Sequence, residues 1–302
     1  MPGKDLLFRF LFEQTDIRGE LVHLDDSWQA VLQRHSYPAP VRDLLGQAMA
    51  AAALLGATLK HDGALIIQIQ SDGPVSLLVV QIENKTQLRG MAEWHGDITA
   101  GNLADLCGHG RMTITIDPAD GNERYQSIIE LGRDSLATTL DNYFRQSEQL
   151  NTRLWLAADE RCAAGLLLQE LPPETTQAGT GENLLLPQDE DAWNRIIHLS
   201  DTLTAMELRD LPITEILKRL YHEEDVRLFE PDTLFFSCSC SRERIANTLR
   251  GLGQTETQSI LKQEGKIIVA CGFCKKSHEF DSVDCEALFS ASINPEGSHT
   301  QH

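Results

Sequence analysis

Apolar and polar positions in the first half of the chain follow two different spacings. Apolar residues recur every three or four positions from Val41 to Leu55, and the alanine-rich stretch from Ala48 to Ala57 predicts that this helix is buried. Helical spacing returns from Leu136 to Leu150. Strand-like runs, bounded by turn residues, are Leu65–Ile69, Val75–Ile82, Met112–Ile116, Ser127–Leu131, Leu154–Leu156 and Leu166–Leu168. Consecutive strands joined by tight turns predict a largely antiparallel sheet backed by helices.

The pattern changes at Pro172 and Pro173. From there to Asp191 the chain is rich in Pro, Gly, Thr and acidic residues, which is typical of an exposed linker. Two short amphipathic helices are predicted after it, and they need a partner surface because short isolated helices are marginal in water. Their apolar faces are Ile196, Leu199, Leu203 and Met206 in the first helix, and Ile213, Ile216, Leu217 and Leu220 in the second. Periodicity alone also fits ordinary core packing.

The charge of the chain narrows the classes of function. Among 302 residues, 26 basic and 45 acidic side chains give a formal net charge of −19, which repels phosphate backbones and anionic lipid surfaces. General binding of nucleic acid or membranes is therefore not expected. No window supplies the roughly 18 consecutive apolar residues of a membrane span, and no secretory cleavage site follows the charged N-terminal run. A cytoplasmic protein is expected.

Motifs for nucleotide-driven work and for common hydrolytic chemistry are missing. The sequence has no Gly-x-x-x-x-Gly-Lys-Ser/Thr loop, no His-Glu-x-x-His and no Gly-x-Ser-x-Gly. We therefore expect a protein that is not an enzyme.

Seven cysteines are unevenly placed, and five of them lie at or beyond position 238. Cys238 and Cys240 form one close pair, and Cys271 and Cys274 form another after 30 intervening residues. Two thiol pairs on tight turns, joined by a compact insert, can close tetrahedrally around one zinc ion. The insert is predicted as helices Arg242–Leu252 and Thr255–Gln263 and a strand at Lys266–Ala270. A redox dithiol pair without metal and an iron–sulfur cluster are alternatives.

Other groups lie close to these cysteines in the sequence. His278, four residues past Cys274, could replace one thiol, although four sulfurs already saturate zinc and leave no position for a catalytic water. Four basic residues would offset the charge of a tetrathiolate site, form an ordinary solvated face, or contact nucleic acid; they are Arg242, Arg244, Lys275 and Lys276. Buried packing is expected for the remaining thiols, Cys107, Cys162 and Cys285, with reactivity of Cys107 near His109 as an alternative.

The zinc in such a site is either structural or part of a switch. Metal-bound thiolates remain nucleophilic toward peroxide and hypochlorous acid. Oxidising each close pair to a disulfide would remove the ligands, and a small zinc domain loses its folding free energy with its metal. Helices docked against that domain would then lose support. The motif alone fits both roles.

The thiol pattern occurs together with further motifs in the N-terminal part. They are Ser71-Asp-Gly-Pro-Val75, Gln87-Leu-Arg-Gly90, Gly108-His-Gly110 before Thr113-Ile-Thr-Ile-Asp117, Tyr143-Phe144-Arg-Gln-Ser-Glu-Gln149, and Ala164-Gly165 leading into Leu166 to Gln169. In this combination the sequence resembles the heat-shock protein 33 family, the bacterial redox-regulated holdase chaperones. The resemblance covers nearly the whole chain, up to about Ser290.

The resemblance implies a stress-activated, ATP-independent chaperone of the bacterial cytoplasm. The reduced form would be a largely inactive monomer with one Zn²⁺ on the four clustered cysteines. Oxidation with unfolding stress would form Cys238–Cys240 and Cys271–Cys274 disulfides, release zinc and disorder the linker. The activated form is expected to dimerise and to bind unfolding client proteins. From periodicity we place client binding on the linker stripes: Ile196, Leu199, Leu203, Ile213, Ile216, Leu217 and Leu220.

An α+β fold class with three parts follows from these patterns. We predict a core domain of antiparallel sheet and helices over 1–176, a linker with amphipathic helices over 177–234, and a small zinc-binding redox-switch domain over 235–290. A disordered tail is predicted over 291–302. Two other functions remain open: a zinc-ribbon module that recognises nucleic acid or a protein through basic residues near Cys240 and Cys274, and a zinc-free thiol oxidoreductase that uses Cys271 and Cys274.

Overall fold

The structure, a computed structural model, describes residues 5–60, 62–132, 134–172 and 191–290. It divides into two compact units, of which the first ends at Ser237 and the second begins at Cys238. The predicted linker helices belong to the first unit. Part of the predicted linker, 177–190, and the predicted tail, 291–302, lie outside the described residues.

The first unit contains runs of two or three strands separated by groups of one to three helices. It begins with β1 (Leu6–Phe12), β2 (Ile17–Leu24), α1 (Asp26–Leu32), α2 (Ala39–Thr58), β3 (Gly63–Ser71), β4 (Val75–Glu83) and β5 (Gln87–Trp94). It continues with α3 (Leu103–Cys107), β6 (Gly110–Pro118), β7 (Tyr125–Glu130), α4 (Leu136–Tyr143), a π-helix (Phe144–Glu148), β8 (Thr152–Ala158) and β9 (Ala163–Glu170). It ends with α5 (Ala192–Ser200), α6 (Ala205–Asp210), α7 (Ile213–Tyr221), β10 (Val226–Leu228), β11 (Asp232–Thr233) and β12 (Phe235–Phe236).

These strands form two sheets. The first sheet has the order β10-β1-β2-β9-β8, with β11 also paired to β1, and all of its pairs are antiparallel. The second sheet has the order β12-β5-β4-β3-β6-β7 and is antiparallel except for the short β12–β5 pair. The predicted fold class, antiparallel sheet with helices, is confirmed.

Helix α2 contacts strands of both sheets and is buried on nearly all sides. Its residues from Ala48 to Leu54 are fully buried, as the alanine-rich pattern predicts. Small side chains let both sheets approach the helix axis. At Gly46 an added Cβ would lie 2.5 Å from the Cβ of Ala158, and at Gly56 it would lie 2.7 Å from a methyl of Ile82. At both positions only the hydrogen atom of glycine fits.

Helices α5, α6 and α7, here called the linker helices, cover the face of the first sheet opposite α2. Their apolar side chains and those of the sheet form one core cluster. The ring of Tyr221 packs edge-on against Phe12 with 4.9 Å between centroids, and its hydroxyl lies 2.7 Å from Ser200 Oγ. The sheet therefore supplies the partner surface that these short helices need.

Three local features differ from the sequence pattern. The helix predicted to carry Ile196, Leu199, Leu203 and Met206 on one face ends at Ser200, and Met206 lies on the separate helix α6 with 62% of its surface exposed. The predicted helix from Leu136 to Leu150 is α-helical only to Tyr143 and widens into the π-helix, where Gln149 ends it with a φ of 56°. This wider turn brings the Glu148 carboxylate to 2.5 Å from the Tyr143 hydroxyl, which donates to it. Strands β1, β2 and β5 carry apolar residues on both faces, so strict alternation does not mark them.

The second unit is a small helix and hairpin assembly. Its elements are α8 (Arg242–Leu252), α9 (Gln254–Glu264), β13 (Ile267–Ala270), β14 (Ser277–Phe280) and α10 (Ser282–Ser290). The two strands pair antiparallel. The cluster of buried apolar residues is short: Ala246, Leu249, Ile267, Phe280, Cys285 and Leu288. An apolar core of this size gives little folding free energy without a further stabilising group.

Candidate metal centre

Four cysteine sulfurs meet in the second unit. The Sγ atoms of Cys238 and Cys271 are 3.7 Å apart, those of Cys240 and Cys274 are 3.3 Å apart, and all four lie within 4.8 Å of one another. Sulfurs bound about 2.3 Å from a tetrahedral zinc ion are separated by about 3.8 Å. The structure thus brings together the four residues that the spacing singles out, at distances that fit a tetrahedral metal.

Local structure holds each thiol pair at the start or the turn of a regular element. Immediately after Cys240, Ser241 caps α8 by accepting a hydrogen bond from the N–H of Arg244 at 3.1 Å. The second pair lies in the turn of the β13–β14 hairpin, where the N–H of Cys271 donates to Lys276 O at 3.0 Å. Lys275 takes a φ of 59° there and closes the turn.

The crowded thiols differ in acidity. Burial raises the pKa of Cys238, but hydrogen bonds from the N–H of Cys240 and from neighbouring thiols outweigh it and lower that pKa to about 7. Burial, followed by the neighbouring thiols, raises the pKa of Cys240 to about 12, and burial also raises the pKa of Cys271. One thiolate forms easily while further negative charges are opposed. A divalent cation is the group that would offset four such charges.

Two of the four nearby basic residues are engaged within the second unit. Arg244 donates to Ser239 Oγ at 2.5 Å, between the first two cysteines. Arg242 lies 2.6 Å from Asp284 and stacks over the ring of Phe280 at 4.3 Å. The contact between Arg244 and Ser239 was not predicted from the sequence. The cap at Ser241 could have been, because a serine directly before a helical run is a common N-cap signal. Both arginines thus make contacts within the unit while remaining exposed, and Lys275 and Lys276 are exposed as well.

The other candidate ligand and the other thiols lie apart from this cluster. His278 is buried on β14, and its Nε2 has no hydrogen-bond partner among the described residues. All seven cysteines are free of disulfides. Burial raises the pKa of both Cys107 and Cys162 to about 11, and it also raises the pKa of Cys285. Thiols this weakly acidic and this buried are unreactive in the folded state.

The apolar residues of the predicted client-binding stripes face the first sheet. Ile196 and Ile216 are 0% and 1% exposed, and Leu199 and Leu203 are partly buried against the same cluster. The remaining stripe residues are buried as well: Ile213, Leu217 and Leu220. The apolar faces of the linker helices and the apolar face of the first sheet are therefore buried against each other.

Polar contacts also tie the linker helices to the first sheet. His23 Nε2 lies 2.6 Å from Leu208 O, and Arg161 pairs with Asp210 at 2.5 Å. The thiol of Cys162 donates to the carbonyl oxygen of Arg209 on α6 at 3.5 Å. Cys162 therefore lies directly beneath a linker helix.

Comparison with known proteins gives consistent matches over the whole chain. A sequence profile of the family described as Hsp33 protein matches residues 5–281. The 33 kDa chaperonin of Nitrosococcus oceani is 49% identical over 302 residues, covering 100% of both chains. That of Methylobacillus flagellatus is 44% identical over 303 residues, again covering 100% of both.

A solved structure supports the fold. The crystal structure of the 33 kDa chaperonin (heat shock protein 33 homolog) of Thermotoga maritima matches with a TM-score of 0.79, covering 95% of this chain and 99% of that chain at 20% identity. A two-sheet body, docked amphipathic helices and a four-cysteine cluster, together with these relatives, place the protein among the chaperones. The chain belongs to the Hsp33 family. Among the helices of the described residues, none has the length and apolar content to span a membrane.

Proposed function

We propose that the protein is a redox-regulated, ATP-independent holdase that binds unfolding proteins under oxidative stress in the cytoplasm. The observation that carries this proposal is the cluster of four free thiols within 4.8 Å, in a unit with a very small apolar core. In such a site the same four thiols would hold the metal that stabilises the unit and would be open to oxidation. One Zn²⁺ per reduced chain is the metal that four thiolates at this spacing fit best.

The proposed switch is a two-electron oxidation of thiolate pairs. Zinc, when bound, would keep the four sulfurs deprotonated and offset their charge. With hydrogen peroxide as the oxidant, two thiolates give up two electrons and form one S–S bond. The peroxide accepts these electrons and two protons, its O–O bond breaks, and two waters form. We assign the pairs Cys238–Cys240 and Cys271–Cys274 on the family resemblance. A sulfur in a disulfide no longer offers a thiolate, so too few ligands remain for the metal.

Loss of the ligand set would unfold the second unit. Its apolar core consists of six buried residues, and small zinc domains derive most of their folding free energy from the metal. The segment before Cys238 is joined to the rest of the first unit by short strands, of which β11 and β12 have two residues each, by the buried side chain of Leu234 and by the Arg9–Asp232 ion pair. Such short pairings open at low cost. We infer that unfolding spreads from here to the linker helices.

Release of the linker helices would uncover the client-binding surface. One side is the set of stripes predicted from periodicity, headed by Ile196 and Ile216. The other side is the sheet face beneath them, which carries Phe10, Phe12 and Leu21. Both are apolar, and contiguous exposed apolar surface is what captures non-native proteins. We propose that the reduced protein is a monomer and that the activated form dimerises through surface exposed in the same step.

The proposal is tested with the reduced, zinc-loaded protein. We expect peroxide at elevated temperature to release zinc and, in the same time course, to make the protein suppress aggregation of a thermally unfolding client. A Cys271→Ser variant, with one of the four thiols removed, is expected to hold zinc weakly, whereas Val283→Ser, at a position of the same unit that is 72% exposed, should behave as the wild type. Zinc release without any suppression of aggregation would contradict the holdase function.

A further inference from the structure

The outer edge of the second sheet is unprotected. Strand β7 ends the sheet order, and among the described residues no strand pairs with its outer side. Natural sheets usually guard such edges with lysine, proline or a covering segment. The residues of β7 include neither lysine nor proline, and Ile128 and Tyr125 are 65% and 47% exposed. This edge is therefore open to pairing with another chain.

The register of the ladder determines which main-chain groups face outward. The N–H of Leu131 donates to Gly110 O at 3.0 Å, so the ladder with β6 bonds alternate residues counted from that pair. Ser127 and Ile129 fall in phase with Leu131 and bond to β6. The N–H and C=O groups of the intervening residues point away from the sheet: Gln126, Ile128 and Glu130.

Two cavities lie beside this edge, and Ile128 and Glu130 line both of them. One, of about 1000 Å³, is lined by His109, Arg111 and Ile128 among others. The other, of about 340 Å³, lies between β7 and the α4–π-helix segment, with Thr139 and Tyr143 in its wall. A strand added to β7 would therefore lie next to open space that its side chains can enter.

We propose that the outer edge of β7 binds an extended, uncharged segment of a non-native client protein by strand addition. This inference rests on the proposed chaperone function and assigns it a second contact surface. Main-chain hydrogen bonds carry no sequence information, which suits a protein that takes many clients. Charges of both signs lie along the edge, since Arg111 is opposite Glu130 in the ladder and Arg124 pairs with Asp117, and an uncharged segment is repelled by neither sign.

A second copy of this chain is a poorer occupant of the edge. Six residues of strand extend about 20 Å and cover far less than the roughly 1,600 Å² of a stable interface. Two copies would also each carry a formal net charge of −19. A short neutral segment of an unfolded protein meets neither obstacle.

The edge is exposed while all cysteines are free, so its binding does not depend on oxidation. A few main-chain hydrogen bonds give weak binding on their own. When one client chain is already bound to the surface beneath the linker helices, its contact with the β7 edge becomes intramolecular and adds affinity. The reduced protein should therefore bind extended peptides weakly, and the activated protein should bind long unfolded chains tightly.

Amide exchange in the unmodified protein tests the geometry directly. The probe is a twelve-residue peptide of alternating threonine and valine, added to the reduced, zinc-loaded full chain and followed by NMR. At about ten times its Kd, we expect exchange to slow about tenfold at the amides of Gln126, Ile128 and Glu130 and to stay unchanged at Ser127 and Ile129. A matched peptide with its four central amides N-methylated should have no effect. Equal protection by both peptides, or protection without alternation, would overturn strand addition.

Two variants separate main-chain pairing from apolar contact. Ile128→Pro removes one outward N–H that β6 does not use, whereas Ile128→Thr keeps that N–H and removes apolar surface. We expect the proline variant to bind the peptide about tenfold more weakly and the threonine variant to stay within about threefold of the wild type. Equal weakening in both would identify a side-chain patch instead and contradict the proposal. Thermal unfolding verifies that each variant is folded, and the exchange experiment needs no variant.

The outcomes also separate this inference from the holdase function. If the oxidised protein suppresses aggregation and the peptide produces no alternating protection, strand addition is wrong and the holdase function stands. If alternating protection is found and the oxidised protein suppresses nothing, the holdase function is wrong and the edge is a peptide site. Protection at the same amides that rises with protein concentration, without peptide, would identify a second copy as the occupant and overturn the proposal.

Discussion

Buried carboxyl groups give the first unit an unusual pH dependence at the scale of single residues. Glu20 on β2 is 3% exposed, and its Oε2 has no hydrogen-bond partner among the described residues. Burial raises its pKa to about 7, although the positive charges of Arg18 and Arg9 act in the opposite direction. Burial likewise raises the pKa of Asp141 to about 7. Both groups hold a proton at a pH where an exposed carboxyl has lost it.

The sign of the Glu20 effect follows from the two pKa values. Because the folded-state pKa exceeds the unfolded value of 4.5, the folded state binds more protons between pH 4.5 and 7. The contribution to the free energy of unfolding is therefore largest below pH 4.5 and falls as pH rises through 7. Glu20→Gln removes this loss. We expect the free energy of unfolding of the variant, taken relative to that of the wild type, to rise by about 2 kcal/mol from pH 5 to pH 8. Urea unfolding measures it.

An exposed carboxylate supplies the control for this comparison. Glu123 is exposed, so Glu123→Gln should leave the difference between pH 5 and pH 8 unchanged. Using the difference between variant and wild type cancels any pH dependence that the cysteine cluster contributes. An E20Q variant whose stability changes with pH as the wild type does would mean that Glu20 is not protonated in the folded protein.

At the scale of elements, docking of the linker helices on the first sheet is proposed to inhibit client binding in the reduced protein. Ile216 on α7 is 1% exposed in the cluster against the first sheet, while Thr214 on the same helix is exposed. Ile216→Asp places a charge in that cluster and should cost about 3–5 kcal/mol of docking free energy. We expect this variant to suppress client aggregation without oxidant, as measured by light scattering.

Thr214→Asp introduces the same charge on the solvent side of the same helix. It should remain inactive until it is oxidised. If the two variants behave alike, added charge rather than helix release would explain the activity, and the inhibitory role of docking would be contradicted.

Several elements of the fold follow from local patterns, and others depend on distant partners. The helical stripes at Ile213–Leu220 and the buried alanine-rich helix are visible in the sequence because one period repeats over several turns. Strand β1 is not, since it carries apolar side chains on both faces and pairs with β10 more than 200 residues away. The π-helix at Phe144–Glu148 is not visible either, because the apolar spacing from Leu136 to Leu150 reads as one continuous α-helix.

The cysteine cluster was predictable for a different reason. Cys238, Cys240, Cys271 and Cys274 are close in pairs along the chain, and a metal that requires four thiolates dictates how the pairs combine. The positions of the charged residues around it were not predictable, because Arg242 pairs with Asp284 across the small unit. Spacing thus identifies which cysteines meet, whereas the fold determines which charged residues pair with each other around them.

At the scale of the whole molecule, the two units should respond differently to metal removal. The first unit has two large apolar clusters, and the second has a core of six buried residues. A chelator added to the reduced protein should unfold α8, α9 and α10 and leave the first unit with its own cooperative thermal transition. Circular dichroism and calorimetry measure both. A second unit that keeps its helices after complete zinc removal would contradict a folding role for the metal.

In the proposed switch, oxidation of the cysteine cluster releases the linker helices from the first sheet. Two thiols of the first unit report on this step: Cys162 lies beneath α6, and Cys107 lies in the other core cluster beside α2. Burial raises the pKa of each to about 11, so both should react slowly in the reduced protein. The most direct measurement is the alkylation rate of each thiol by mass spectrometry, before oxidation and after activation and removal of peroxide.

We predict that alkylation of Cys162 accelerates by about tenfold or more in the activated protein, while the rate at Cys107 stays unchanged. That pattern corresponds to a released linker over an intact first unit. If Cys162 stays protected in a protein that already holds clients, or if both thiols become reactive together, the linker helices are not the element that oxidation releases.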